Sequence, residues 1–127
     1  MDRDNFSDAT PAPDVSAFLR ARLQDDWNHA RDAMLGSGEW RAERTVVVLD
    51  NGAEIADVFL GPADHIARFD PGRVVAEVEA QRAIVDAYEG ALGTEGPSAY
   101  REGLRTALRL LASVYANHAD YREEWRN

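Results

Sequence analysis

Gly61-Pro62-Ala63-Asp64-His65-Ile66-Ala67-Arg68-Phe69-Asp70-Pro71-Gly72-Arg73-Val74-Val75-Ala76-Glu77-Val78-Glu79 holds two helix starts in succession. Gly61-Pro62 opens a short helical turn, with Pro62 at the first helical position, where no amide donor is needed. Asp70-Pro71 repeats the device with a better cap. The Asp70 carboxylate can accept from free amides of the next turn, and Pro71 presets φ for entry. A valine-rich, strand-like region precedes the stretch, and the longest helical pattern in the chain follows it. Chain direction therefore changes here, and the expected fold is α+β. It has three main helices plus one short helix, with a β-hairpin between the first helix and the central one.

Upstream, Asp14 or Ser16 caps a first helix running to about Leu35. Its apolar residues Val15, Phe18, Leu19, Leu23, Trp27, Ala30 and Met34 recur at helical spacing, and Gly36-Ser37-Gly38 ends it. Val46-Val47-Val48-Leu49, Asp50-Asn51-Gly52 and Ile55-Ala56-Asp57-Val58-Phe59-Leu60 read as strand, turn and strand. Asn-Gly favours a type I′ turn, in which both central residues take positive φ. Two registers are open: a two-residue loop pairs Val48 with Ile55, and a three-residue loop with a bulge pairs Val47 with Ile55. Residues 1–13 read as a disordered arm, since Thr10-Pro11-Ala12-Pro13 cannot continue a helix. Residues 14–127 read as a single α+β domain.

Downstream, Pro71 to about Leu92 carries Val74, Val78, Gln81, Val85, Tyr88 and Leu92 at alternating steps of four and three. Val75, Ile84 and Ala91 widen that seam, which favours packing inside a globular core over a two-stranded coiled coil. Gly93 to Pro97 is a loop. Ser98 caps the last helix, with a stripe of Tyr100, Leu104, Ala107, Leu108, Leu111, Val114 and Tyr115, and a bend is expected near Asn117. Tyr121 and Trp125 stand four apart, so a continuing helix puts both on one face.

The chain has 127 residues, no cysteine and a formal charge of −9, and all 14 of its basic residues are arginine. A chain of this size buries about 65–70% of its unfolded surface, so neither disulfide nor metal is required for folding. No apolar run reaches the roughly 20 residues of a membrane span, and the first residues lack the features of a secretion signal. Acidic balance opposes phosphate backbones and anionic lipids, so no nucleic-acid or membrane partner is expected. A cytoplasmic location agrees with the lack of cysteine.

Asp64-His65-Ile66-Ala67-Arg68-Phe69-Asp70-Pro71 and Tyr115-Ala116-Asn117-His118-Ala119-Asp120-Tyr121-Arg122-Glu123-Glu124-Trp125-Arg126 resemble the central and closing motifs of a family of unknown function in actinobacteria and their phages. Val15 to Leu23 resembles its opening helix. The resemblance implies a phage or mobile-element origin and brings no activity with it. This chain departs from the family pattern at Phe69, where histidine is common, and at Ala119, where proline is common. It also lacks the cysteines many members carry.

Chemistry finds few footholds. Cysteine nucleophiles are excluded, and no Gly-x-Ser-x-Gly elbow or phosphate-binding glycine loop occurs. His65 with Asp64 and His118 with Asp120 are the weak candidates for a metal site, but Phe69 removes the histidine that would sit one turn beyond His65. No catalytic residue and no cofactor are therefore expected. The reading favoured is a non-enzymatic protein-interaction module, with Trp40, Phe69, Tyr121 and Trp125 as aromatic anchors. The alternatives are a metal-dependent enzyme using His65 and His118 with their neighbouring carboxylates, and an acidic DNA mimic that acts as an inhibitor. The valine-rich hairpin and the seam at Val74 to Leu92 further predict a homo-oligomer.

Overall fold

The computed structural model describes residues 14–34, 36–58 and 61–126. The 1–13 arm, Leu35, and Phe59 and Leu60 of the second expected strand lie outside the described residues. In chain order the elements are α1 (Val15–Asp32), β1 (Trp40–Glu43), β2 (Val46–Leu49), β3 (Glu54–Asp57), α2 (Ala63–Arg68), α3 (Pro71–Ala91) and α4 (Ala99–Ala112). Two 3-10 turns follow, at Ser113–Tyr115 and Glu123–Trp125. The α+β class holds, with the sheet between the first helix and the central one.

The expected hairpin is two-thirds of a three-stranded antiparallel sheet ordered β1-β2-β3. β1 pairs with β2 from Trp40↔Leu49 to Glu43↔Val46. Its four residues, Trp-Arg-Ala-Glu, contain no β-branched side chain, so propensity does not signal it. The two-residue turn that follows also lacks glycine, and Arg44 takes a φ of 62° there.

The β2–β3 turn corrects the expected type I′ geometry: Gly52 has a φ of 88°, while Asn51 does not adopt positive φ. Gly52 N–H donates to Leu49 C=O at 2.9 Å and Leu49 N–H to Ala53 C=O at 2.8 Å, which closes a three-residue loop. Val48 then faces Glu54, whereas Val47 faces Ala56 and Val46 faces Asp57. Ile55 is thus the residue skipped in the ladder, and neither expected partner pairs with it. Each of the two registers considered holds on one side of that bulge.

Chain packing resolves into two compact units, one of residues 22–84 and the other of residues 14–21 with 85–126. In the first, Val47, Ala63 and Ala67 form a buried cluster, covered by Trp40, Ala42, Ile55, Val58 and Ile66, which seats α2 on one face of the sheet. Pro62 is the cap residue of α2 rather than its first helical residue, and its C=O accepts from Ile66 N–H at 2.9 Å. Trp27 lies between two guanidinium groups, with Arg31 at 5.1 Å and Arg82 at 6.0 Å from its ring centre.

In the second unit, Asp14 rather than Ser16 caps α1: its Oδ1 accepts from Ala17 N–H at 2.9 Å and from the Ser16 hydroxyl at 3.0 Å. Phe18 is buried at the hub of a ring cluster. Tyr121 and His118 meet it edge-on at 5.9 and 5.7 Å, and Trp125 lies tilted at 5.0 Å. Arg20 forks onto Glu89 at 2.7 and 3.2 Å and reaches Asp86 at 2.5 Å. That guanidinium holds the Glu89 carboxyl below its usual range, against the opposing effect of burial.

Ser98 caps α4 by accepting from Arg101 N–H at 3.2 Å. Leu108 and Ala112 are buried, but Tyr100 and Val114, expected on the buried stripe, are exposed. The helix stops at Ala112, earlier than the expected bend, and Tyr121 and Trp125 sit in a turn segment rather than on a continuing helix. Of the α3 seam, Val78, Val85 and Tyr88 are buried within the chain and Leu92 is exposed.

Candidate functional site

The central motif builds its site from the Asp70-Pro71 hinge. Asp70 Oδ1 accepts from Arg73 N–H at 2.8 Å, the expected cap of α3, and its Oδ2 accepts from Trp40 N–H at 3.1 Å. One carboxylate thereby ties the start of β1 to the start of α3. Gly72 N–H donates to Gly38 C=O at 3.0 Å beside it. The approach is close: a Cβ at Gly38 would meet Met34 Cε at 3.1 Å, and φ there is +79°. Gly38 is favoured at this contact by its positive φ.

Trp40, fixed in this way, is half-buried and forms a wall of adjoining concavities. One, of about 410 Å³, lies against Asp26, His29, Ala30, Phe69, Val74 and Glu77. Another, of about 530 Å³, lies against Arg41, Arg68, Arg73, Asp64 and Asp70. Among the described residues the buried Trp40 indole N–H has no hydrogen-bond acceptor. In a chain with a charge of −9, this hollow gathers three guanidinium groups, with the carboxylates of Asp64 and Asp70 beside them. Asp70 keeps its negative charge there while its two oxygens accept from the Trp40 and Arg73 backbone amides.

The arginines differ in freedom. Arg41 is held by Glu43 and by the carbonyls of Leu49 and Asp50. Arg73 contacts Glu77 at 3.2 Å, and its Cζ lies 4.5 Å from the centre of the Phe69 ring. Arg68, in the last turn of α2, is exposed. Phe69 itself is 45% exposed, with the His65 ring 4.9 Å away on its helix-side neighbour. Arginine over an aromatic face is a cation–π arrangement that stiffens both side chains without hiding either.

Of the residues singled out from sequence, Trp40 and Phe69 thus meet in one groove, with Asp64 at its edge. Tyr121 and Trp125 pack around Phe18, Trp125 almost fully buried. His65 stacks on Phe69, and His118 Nδ1 accepts from Asp120 N–H at 3.0 Å. Among the described residues no three histidine, aspartate or glutamate side chains are grouped so as to hold a metal ion. The arginines escaped sequence reading, because Arg41 reaches Arg68 and Arg73 only through strand β1. The pair flanking Phe69-Asp70-Pro71 was the available signal.

The fold is that of a small α+β protein. The chain belongs to a family of unknown function, DUF6221, whose model matches residues 12–127. Neither a curated protein nor a solved structure matches the chain. Among the described residues no helix is long and apolar enough to cross a membrane.

Proposed function

We propose that the chain is a non-enzymatic protein-interaction module whose contact surface is the groove beside Trp40. The carrying observation is that three side chains of residues 68–73 are exposed on a backbone held by hydrogen bonds at Asp70 and Gly72. Arg68, Phe69 and Arg73 face outward, while Asp70 and Gly72 fix the hinge beneath them. Such a surface loses little freedom on binding, and tryptophan and arginine are the residues that most often dominate interface energetics. The guanidinium forks select carboxylates and carbonyls in good geometry, so the partner is a protein segment offering an acidic side chain beside an apolar one. Arg68→Glu tests the reading in affinity capture from the native host. The expected result is loss of a reproducible partner that Glu95→Arg, in the loop before α4, still retains. Equal capture by wild type and Arg68→Glu would refute it, as would turnover of a substrate by the purified chain.

A further inference from the structure

The turn between β2 and β3 carries the chain's only Asn-Gly pair, Asn51-Gly52. Both residues are exposed, and a Cβ built on Gly52 would meet no atom within 4 Å. The amide nitrogen that follows the Asn51 side chain therefore has no side chain of its own to crowd it. Asn28 and Asn117 are each followed by histidine, whose β-carbon hinders the corresponding nitrogen.

Such a pair reacts with itself when its geometry allows. The Gly52 nitrogen gives its proton to solvent base and bonds to Asn51 Cγ, and the Cγ–Nδ2 bond breaks to release ammonia. Water then opens the cyclic imide at either carbonyl. One opening leaves aspartate, and the other leaves isoaspartate, with the main chain running through the former side chain. The sum is amide plus water to carboxylate plus ammonium, with no change of oxidation state.

The folded turn opposes this reaction at three points. Gly52 N–H donates to Leu49 C=O at 2.9 Å, which keeps the attacking nitrogen protonated and engaged. Ala53 N–H donates to Asn51 Oδ1 at 2.9 Å and fixes the side-chain amide. Neither Asp50 nor Asn51 has positive φ, so the Gly52-to-Leu49 bond closes a type I turn, whose second central residue holds ψ at about 0°. Ring closure requires rotation about the Asn51 Cα–C bond away from that value. Contacts from outside support the same shape. The Arg41 guanidinium donates to the Leu49 and Asp50 carbonyls, each at 3.2 Å, and the Ser37 hydroxyl to Asp50 Oδ2 at 2.7 Å.

We infer that Asn51 is a site of self-deamidation guarded by the closed β2–β3 turn, so that opening of the turn commits the chain to modification. Isoaspartate adds a methylene to the main chain inside the loop that Leu49 N–H and Ala53 C=O close at 2.8 Å. A loop lengthened in this way does not re-form the same bulge beside Val48 and Glu54, so reclosing does not undo the change. The inference is independent of the role of the groove.

Parallel incubation of the full chain in mildly alkaline buffer, with and without denaturing urea, tests it by peptide mass spectrometry. In urea, Asn51 is expected to convert before Asn28 and Asn117, giving both aspartate and isoaspartate. In native buffer its conversion is expected to be about tenfold or more slower, as for a reaction that proceeds through local opening. Equal rates in the two buffers would overturn the guarding, and an Asn51 that survives urea would overturn the site itself. After urea is removed, chains carrying isoaspartate should melt below Asn51→Asp, which keeps the loop length and an acceptor oxygen. Coincident melts would overturn the claim that the change is locked in.

Discussion

Two sets of aromatic side chains show how differently similar residues are used. Around Phe18, Tyr121 and Trp125 close on one another, with their rings 5.5 Å apart and Trp125 buried. Around the hinge, Trp40 and Phe69 stand along an open hollow that adjoins a second one lined by Arg41, Arg68 and Arg73, and Phe69 remains nearly half exposed. The first set fills the interior of its own unit. In the second, Trp40 is tied to Asp70 through its backbone amide and packs its ring partly against the core, while Phe69 lies beside the same hinge. Aromatic content alone marks neither role. What separates them is whether the surrounding polar atoms are spent on fixing the backbone or on covering the rings.

The comparison is most severely tested at its buried end. Phe18→Ala should remove about 3–5 kcal/mol of stability, the range for a fully buried phenylalanine, and urea unfolding will read it as a lower midpoint. Asp70→Ala comes next. It deletes a helix cap and the amide acceptor for Trp40 together, so a loss of about 1–2 kcal/mol is expected in the same assay, together with a changed Trp fluorescence. Asp70→Asn, which keeps an acceptor oxygen, should lose less.

Arg20→Ala tests an ion pair next to the ring cluster. The Glu89 carboxyl is held low in the folded chain, so its contribution is complete above the ordinary glutamate range and fades as pH falls through the lowered value. The side chains are 37% and 39% exposed, and screening limits the effect to about 0.5–1 kcal/mol. Arg20→Ala should therefore differ from wild type at neutral pH and converge with it in acid, as followed by thermal melts at a series of pH values. Phe69→Ala is the smallest. Stability should change by no more than about 0.5 kcal/mol, in line with an exposed position, and a larger loss would move Phe69 into the structural set.

Much of this architecture is legible in the chain. The Asp-Pro hinge announces its cap, Ser98 does the same for α4, and the stripe from Val15 to Ala30 places Phe18, Leu19 and Leu23 in the interior. Local rules suffice there because partner and acceptor are three or four residues apart. They fail at β1, whose strand character comes only from pairing with β2, and at Ile55, where two registers of nearly equal merit both occur. They fail again at Tyr100 and Val114, since periodicity marks an apolar face without saying how much of it the chain will cover. The candidate site was half visible. Phe69, Asp70 and the flanking arginines sit in one motif, but Trp40 and Arg41 join them across a separation of about thirty residues that only the fold closes.

Replacing single aromatics by a photo-crosslinking phenylalanine analogue tests the central claim most directly, with Phe69 and Tyr121 as the paired positions in the native host. A covalent adduct to one reproducible protein is expected from position 69 and none from position 121. Adducts from position 121 with none from position 69 would contradict it.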